Sequence, residues 1–387
     1  MKIFYLINSR IPSEKAEGLE AMKLAEALSA KQPLIFIAPK RLNKIKEDPF
    51  IFYNLKRTFT IIKLPVIDTI SLNIGKIGYW LEAISFALIS FFYILFNTEK
   101  NDIIYSHDHT CLFLISFIRK NCFYDIHDFP KRKLKFYKRL FKNLAGITTT
   151  NSWKKQQLIK QFNLSTNKIL AYPNGVDLAE FNLKVEKNQT RDKLKLPIDK
   201  YLVGYVGMLK TMGMEKGIDL AIKTLKFLDK KTSLVLVGGE EDELVSYKKF
   251  VDDLGLTERV IFVGWVKHQF IPLYLQACDI LIAPYPKTEH YDFFMSPMKI
   301  FEYMASGRPI VATDLTSIRE ILNETNSVIV EANDVESLVT GITKLYNNQI
   351  LTKIISQKAL VDVRQYSWEK RAEKVLQFME KKYEPNE

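Results

Sequence analysis

Ser296-Pro297-Met298-Lys299-Ile300-Phe301-Glu302-Tyr303-Met304-Ala305-Ser306-Gly307-Arg308-Pro309 is the segment on which the fold turns. Ser296 suits an N-cap and Pro297 the first helical position, so a helix is expected over 297–306. Ile310-Val311-Ala312 then reads as a buried strand. The free N–H groups at the helix start, with Lys299 beside them, make an anion site. Glu302 lies farther along the same apolar helix, between Phe301 and Tyr303. A carboxylate there is costly unless it accepts hydrogen bonds. Paired ribose hydroxyls are suitable donors, and so are backbone N–H groups.

Upstream, the chain repeats this alternation. Leu202–Val206, Leu234–Val237, Val260–Val263 and Ile280–Ala283 read as strands, with a helix over Gly217–Phe227 and a last strand at Val328–Val330. An earlier series has strands at Lys2–Asn8, Pro33–Ala38, Asp102–Tyr105, Phe123–His127, Gly146–Thr150 and Ile169–Tyr172, with a helix over Gly18–Ser29. Alternating strands and helices imply parallel sheets with crossover helices. The polar stretch Asn182–Lys200 reads as a linker between the series, and Ser367–Lys382 as a charged terminal helix with one apolar side. The expected domains are 1–185, 186–365 and the terminal helix 366–387. Ligands on such sheets sit beyond the carboxyl ends of the strands.

The 387 residues, 47% apolar and 26% charged, provide real cores and exclude a disordered chain. Three scattered cysteines, Cys111, Cys122 and Cys278, are too few for a disulfide framework or a four-cysteine zinc site and fit a reducing compartment. The apolar run after Met1 is too short for a secretion signal. The net charge of +12 is uneven: residues 1–185 hold 28 basic and 15 acidic side chains, the remainder 28 and 29. Such asymmetry points to an anionic partner of the first half. Lys131, Arg132, Lys133, Lys135, Lys138, Arg139 and Lys142 form its densest cluster, without a carboxylate, while Leu134, Tyr137, Leu140 and Phe141 recur at helical spacing. A basic amphipathic helix suits an anionic lipid surface; a solvated helix packed on a sheet is the plainer alternative. No nucleic-acid-binding motif is present, so nucleic acid is not the expected partner. Tyr79–Phe96 is long and apolar with one carboxylate, Glu82. Its place between strands predicts a buried or half-buried crossover helix rather than a membrane span, with its exposed edge open to a monotopic contact.

Two further strand ends carry chemistry. Gly207-Met208-Leu209-Lys210-Thr211-Met212-Gly213-Met214-Glu215-Lys216-Gly217 links a strand to a helix, and its two lysines suit a diphosphate. The spacing is not that of a Walker loop, and the first strand lacks the glycine pattern of a dinucleotide site. Gly18, near a helix start, permits close backbone approach to a phosphate.

Taken together these residues resemble the GT-B glycosyltransferases, specifically the large retaining nucleotide-sugar family four. Asn174-Gly175-Val176-Asp177 with Phe181, the Gly207–Gly217 loop, Phe301-Glu302-Tyr303-Met304-Ala305 with Gly307, Pro309 and Ile310-Val311-Ala312, and Tyr366-Ser367-Trp368-Glu369 carry the resemblance in order along nearly the whole chain. It implies an α/β GT-B fold: two Rossmann-like domains with parallel sheets facing across a cleft, and a C-terminal helix crossing back to the N-terminal domain. It implies a hexosyl-type glycosyltransferase using a nucleotide-sugar, with UDP favoured. Lys216 together with Lys210 would bind the donor diphosphate and Glu302 the ribose. Gly18, Gly207, Ser296, Met298 and Lys299 would complete the donor site. His127 would face the donor sugar, and His107, Asp108 and His109 would line the acceptor side. No metal and no other cofactor is expected. The acceptor would be a glycan or polyprenyl-linked molecule used in cell-surface polysaccharide synthesis. With the basic half, this places the protein in the cytoplasm, peripheral on the inner face of the plasma membrane.

The sequence departs from the family in two places. A glutamate often found eight residues before the position of Glu302 is here Phe294, and a cation that often follows the glycine is here Met208. The missing glutamate leaves the donor sugar open and permits a non-catalytic glycan- or lipid-binding homologue; because fold does not fix chemistry, a nucleotide-sugar epimerase on a related scaffold is the other alternative. A phosphorylase would need a pyridoxal cofactor, for which there is no signature.

Overall fold

The computed structural model describes residues 1–70, 75–183, 185–211 and 213–383. Met212 of the lysine loop and residues 384–387 of the expected terminal helix lie outside them. Contacts divide the chain into two units, Met1–Asn174 with Trp368–Glu387, and Gly175–Ser367.

The first unit holds seven parallel strands: β1 (Ile3–Leu6), β2 (Leu34–Lys40), β3 (Thr60–Pro65), β4 (Ile103–Ser106), β5 (Cys122–Ile126), β6 (Gly146–Thr149) and β7 (Ile169–Ala171). Their order is β3-β2-β1-β4-β5-β6-β7. Most are short and wholly buried, as strands covered on both faces must be. Phe4, Leu6, Ile104, Tyr124 and Ile147 send their side chains to one face, where the Gly75–Asn97, His109–Ile115, Leu134–Asn143 and Ser152–Phe162 helices pack. The Ala16–Ser29 helix packs against the terminal helix, Trp368–Tyr383, so the last helix of the chain belongs to the first unit. The order reverses between β1 and β4, and the loops after β1, β4 and β5 lead to Asn8, His107 and His127.

The Gly75–Asn97 helix is half-buried. Its inward side includes Glu82, Phe86, Ser90 and Ile94. Glu82 is fully buried and bound by Arg41, whose Nε donates to it at 3.0 Å, and by Asn8 Nδ2 at 3.3 Å. The carboxylate that interrupts the apolar run thus ties the helix to the ends of β1 and β2.

The second unit has a six-stranded parallel sheet, β12-β11-β8-β13-β14-β15. Its strands are β8 (Tyr201–Val206), β11 (Thr232–Val237), β12 (Val260–Gly264), β13 (Ile280–Ala283), β14 (Ile310–Thr313) and β15 (Val328–Val330). A small antiparallel hairpin of β9 (Lys210–Thr211) and β10 (Met214–Glu215) follows β8. The reversal lies between β8 and β13, beside the lysine loop.

Three expectations need correction. Asn182–Lys200 is no linker: it contains the Lys187–Lys193 helix, and the buried Arg191 donates to Asp279 at 2.6 Å and to the Ala277 carbonyl at 2.8 Å. Polar composition concealed one long side chain satisfied inside the unit. The first domain, read as ending at 185, stops earlier: Val176 and Phe181 are in the core of the second unit. The helix expected from Pro297 begins at Met298, and its N-cap is Pro297, extended at ψ 114°, rather than Ser296.

Candidate active site

In the second unit the end of β8 is fixed from below. Tyr303 donates its hydroxyl to the Val206 carbonyl at 3.1 Å and accepts from the Val206 N–H at 2.8 Å. Two residues of the 298–306 helix therefore serve one strand end: Tyr303 clamps it, and Lys299 lies over the next residue. A Cβ on Gly207 would sit 2.9 Å from Lys299 Nζ, and Gly207 has φ +130°. Only glycine allows both that backbone and that approach. Lys299 Nζ lies 3.6 Å from the centre of the Tyr205 ring and has no hydrogen-bond partner among the described residues. Burial and the neighbouring Lys216 charge hold its ammonium well below the usual lysine range. Lys216 is itself buried; burial, only partly offset by Glu243, lowers its pKa to about 8. Each of these two buried lysines raises the cost of charging the other, and an anion beside them would offset it.

Lys210 does not join them. It pairs with Glu215 across the hairpin at 2.7 Å, and Glu215 also accepts from the Tyr247 hydroxyl. Met298 is half-buried at the first turn of its helix, and Phe294 is buried in the turn before it.

Glu302 is half-buried beside a residue that no motif in the sequence marks. His268 Nε2 lies 3.4 Å from Glu302 Oε1, and His268 Nδ1 lies 3.4 Å from Glu180 Oε1. Burial disfavours the imidazolium, but the two carboxylates prevail and push the pKa up to about 9. His268 follows a glycine-ended strand and Glu180 sits in the Asn174–Phe181 turn, so only the fold joins them.

In the first unit His127 follows β5, and both ring nitrogens meet carboxylates: Nδ1 lies 3.3 Å from Glu20 and Nε2 3.3 Å from Asp125. Burial lowers the imidazole pKa, yet Glu20 and Asp125 together raise it above its ordinary value. The Lys154 ammonium donates to the His127 carbonyl at 2.9 Å, and burial lowers its pKa to about 8. Neither Glu20, Lys154 nor the Arg371 that faces Asp125 stands out in the sequence, since each lies on a helix whose face only the packing defines.

The remaining candidates have local work. Gly18 admits Tyr53, whose hydroxyl would lie 2.4 Å from a Cβ there and which bonds Ser13 through both N–H and carbonyl. Asp108 caps the helix of His109–Ile115 by accepting from the Cys111 N–H. His109 packs on Phe136 and Tyr137, and burial lowers its pKa. His107 Nε2 lies 2.6 Å from the Tyr5 hydroxyl. His107, Asp125 and His127 lie close enough to share an ion. However, the Asp125 oxygens already receive Arg371 at 3.1 Å and Thr148 at 2.7 Å, and a permanent cation beside the carboxylate opposes a metal ion there.

Residues 200–348, which hold the lysines, His268 and Glu302, match the family model described as Glycosyl transferases group 1. Within the second unit, these residues are similar to the group 1 glycosyltransferases. Among curated relatives, an uncharacterized glycosyltransferase of Methanocaldococcus jannaschii is 24% identical over 246 residues, covering 62% of this chain and 60% of its own. A UDP-Gal:alpha-D-GlcNAc-diphosphoundecaprenol alpha-1,3-galactosyltransferase of Escherichia coli is 25% identical over 280 residues, covering 67% and 70%. The match therefore spans less than two thirds of the archaeal relative's length. Among solved structures, HepE of Anabaena in complex with UDP superposes with a TM-score of 0.73 at 18% identity, covering 98% of this chain and all of that one. At that identity the likeness establishes the fold, which is GT-B, with two Rossmann-like units.

Proposed function

We propose that this protein is a glycosyltransferase of cell-surface polysaccharide or glycolipid synthesis, moving a hexose from UDP to a hydroxyl of a membrane-associated glycan or lipid-linked acceptor. The observation that carries the reading is the pair of buried lysines, Lys216 and Lys299, the second lying over Gly207, with Glu302 on the same helix as Lys299. Two buried lysines, one of them without a hydrogen-bond partner among the described residues, are costly in a folded core, and a diphosphate between them would offset that cost. The names of the relatives support a transferase over an epimerase or a binding protein, and the UDP in the Anabaena structure supports the base.

In this reading the bond from the anomeric carbon to the diphosphate oxygen breaks as the acceptor oxygen bonds to the same carbon. The acceptor's proton passes to the departing diphosphate, and the anomeric configuration is kept. Lys216, Lys299 and the N–H groups at the start of the 298–306 helix would stabilise the leaving charge. Glu302 would accept from the ribose hydroxyls. His127, held between Glu20 and Asp125, would hydrogen-bond the sugar, and the first unit would receive the acceptor at the cytoplasmic face of the membrane. None of these roles requires a metal.

Titration with UDP, GDP, ADP and CMP tests the reading, beside Glu302→Ala and Lys216→Ala. Tight, selective binding of UDP that weakens in both variants supports it. Folded protein that binds none of the four refutes it.

A further inference from the structure

The outward side of the Gly75–Asn97 helix is an unbroken apolar stripe. Ile77, Leu81, Ile84, Leu88, Phe92 and Phe96 follow one another at three- and four-residue spacing and are 70%, 47%, 47%, 46%, 53% and 78% exposed. Helix geometry puts them in one line about 30 Å long. A stripe of this size on water is unusual for a protein that has ample core, and it marks an interaction surface.

Its surroundings are cationic. Lys133 places its ammonium 3.8 Å from the centre of the Trp80 ring, at the start of the stripe. Arg139 lies over Phe117, 5.5 Å from its centre, and Phe117 is half exposed at the end of the neighbouring helix. These contacts join the helices of Gly75–Asn97, His109–Ile115 and Leu134–Asn143 into one surface. Glu82 is the sole carboxylate in the three helices, and it is buried. The cations at 76, 135, 138, 139 and 142 are exposed. Apolar and aromatic side chains on one helix, flanked by lysine and arginine with no acid among them, match the interface of a bilayer that carries negative headgroups. A second copy of the same surface would oppose cation to cation, which disfavours self-pairing of this face.

We infer that this three-helix face docks the first unit on an anionic bilayer surface, the stripe of the Gly75–Asn97 helix entering the headgroup–acyl boundary and the Lys133–Lys142 cations meeting the headgroups. The helix lies in the interface and does not cross it, because its other side holds Glu82 on Arg41. The inference adds an insertion element to the basic helix and stands apart from the donor site, so UDP binding can fail while this holds, and the reverse.

The test is flotation of the full chain with vesicles of phosphatidylcholine alone and of phosphatidylcholine mixed with phosphatidylglycerol. Wild type should float with the anionic vesicles only, and less so in high salt. Leu88→Asp with Phe92→Asp, and separately Lys135→Glu with Lys138→Glu and Lys142→Glu, should each lower partitioning by about tenfold or more. All substituted side chains are exposed, and unchanged thermal unfolding establishes that the variants fold. Absence of flotation by the wild type overturns the inference. Flotation of the Leu88/Phe92 variant equal to wild type also overturns it, because the stripe would then do nothing. Light scattering that finds a dimer in wild type and a monomer in that variant would assign the stripe to a second copy instead.

Discussion

The guanidinium of Arg371 lies 3.1 Å from the carboxylate of Asp125, and neither side chain has any contact with solvent. The pair binds the last helix of the chain to the end of β5, two residues before His127. Arg371 also donates to the carbonyls of Tyr172 and Pro173. Burial alone would raise the Asp125 carboxyl, but Arg371 and His127 hold it well below the usual range. The terminal helix is therefore part of the first unit's electrostatics as well as its packing.

Removing one partner should leave an uncompensated buried charge, which costs about 3–5 kcal/mol. Arg371→Met should lower the unfolding midpoint of the first unit accordingly, with nucleotide binding by the second unit retained. Asp125→Asn in the same chain should recover part of the loss, since the stranded charge is gone. Urea unfolding followed separately for each unit checks this, and a loss below about 1 kcal/mol would mean that the ion pair is not what holds the helix.

His268 makes a pH-dependent contribution to the second unit. Its pKa is raised from 6.5 to about 9 by Glu180 and Glu302. The stabilisation is therefore complete below pH 6.5 and is lost as pH rises through 9, amounting to about 3 kcal/mol in all. His268→Gln should flatten that dependence in the second unit. It should also weaken UDP by about tenfold at neutral pH, the value of one modest charge-assisted contact that orients Glu302. Unchanged affinity and an unchanged pH profile of unfolding would detach His268 from the site.

Gly207→Ala probes the approach of Lys299 to the strand end. A Cβ at φ +130°, 2.9 Å from the ammonium, strains the backbone and displaces the lysine. The second unit should stay folded with a loss of about 1–3 kcal/mol, the ordinary cost of one strained position. UDP affinity should fall far more than for Met208→Ala, its neighbour. Equal effects of the two would show that the glycine serves the turn alone.

The sequence displays what depends on local order. The alternation of buried strands and helices gives both sheets, and the Gly207–Gly217 and Ser296–Pro309 segments give the lysines and Glu302, because each motif is short and continuous. β3 escaped notice because it is an edge strand: only Leu64 of its six residues is buried, so it lacks the apolar run of its neighbours. Arg191 concealed a packed helix inside a charged stretch, since composition cannot report where one guanidinium finds its acceptors. Glu20, Arg371, Glu180 and His268 became site residues through contacts between distant segments. His268 and Glu302 are 34 residues apart, and Asp125 and Arg371 are 246 apart. Nothing in local spacing marks such pairs.

The two lysines give the most direct test of the donor site. Without ligand, Lys216 titrates at about 8 and Lys299 is held well below the ordinary lysine value. A diphosphate between them favours both ammonium forms, so binding near and above pH 8 must take up protons from solution. UDP affinity should fall as pH rises from 8 towards the free-lysine value, by up to about tenfold per unit for each proton taken up. The unliganded second unit should show the opposite trend from these two groups: its unfolded lysines bind more protons than its folded ones in that window, so their contribution to stability rises with pH. Calorimetry of UDP binding in buffers of different ionisation enthalpy measures the uptake directly. Lys299→Met should remove one part of it and Lys216→Met the other, each with weaker binding. Proton uptake near zero in wild type, with affinity flat across the same window, would mean that the lysines do not meet the diphosphate.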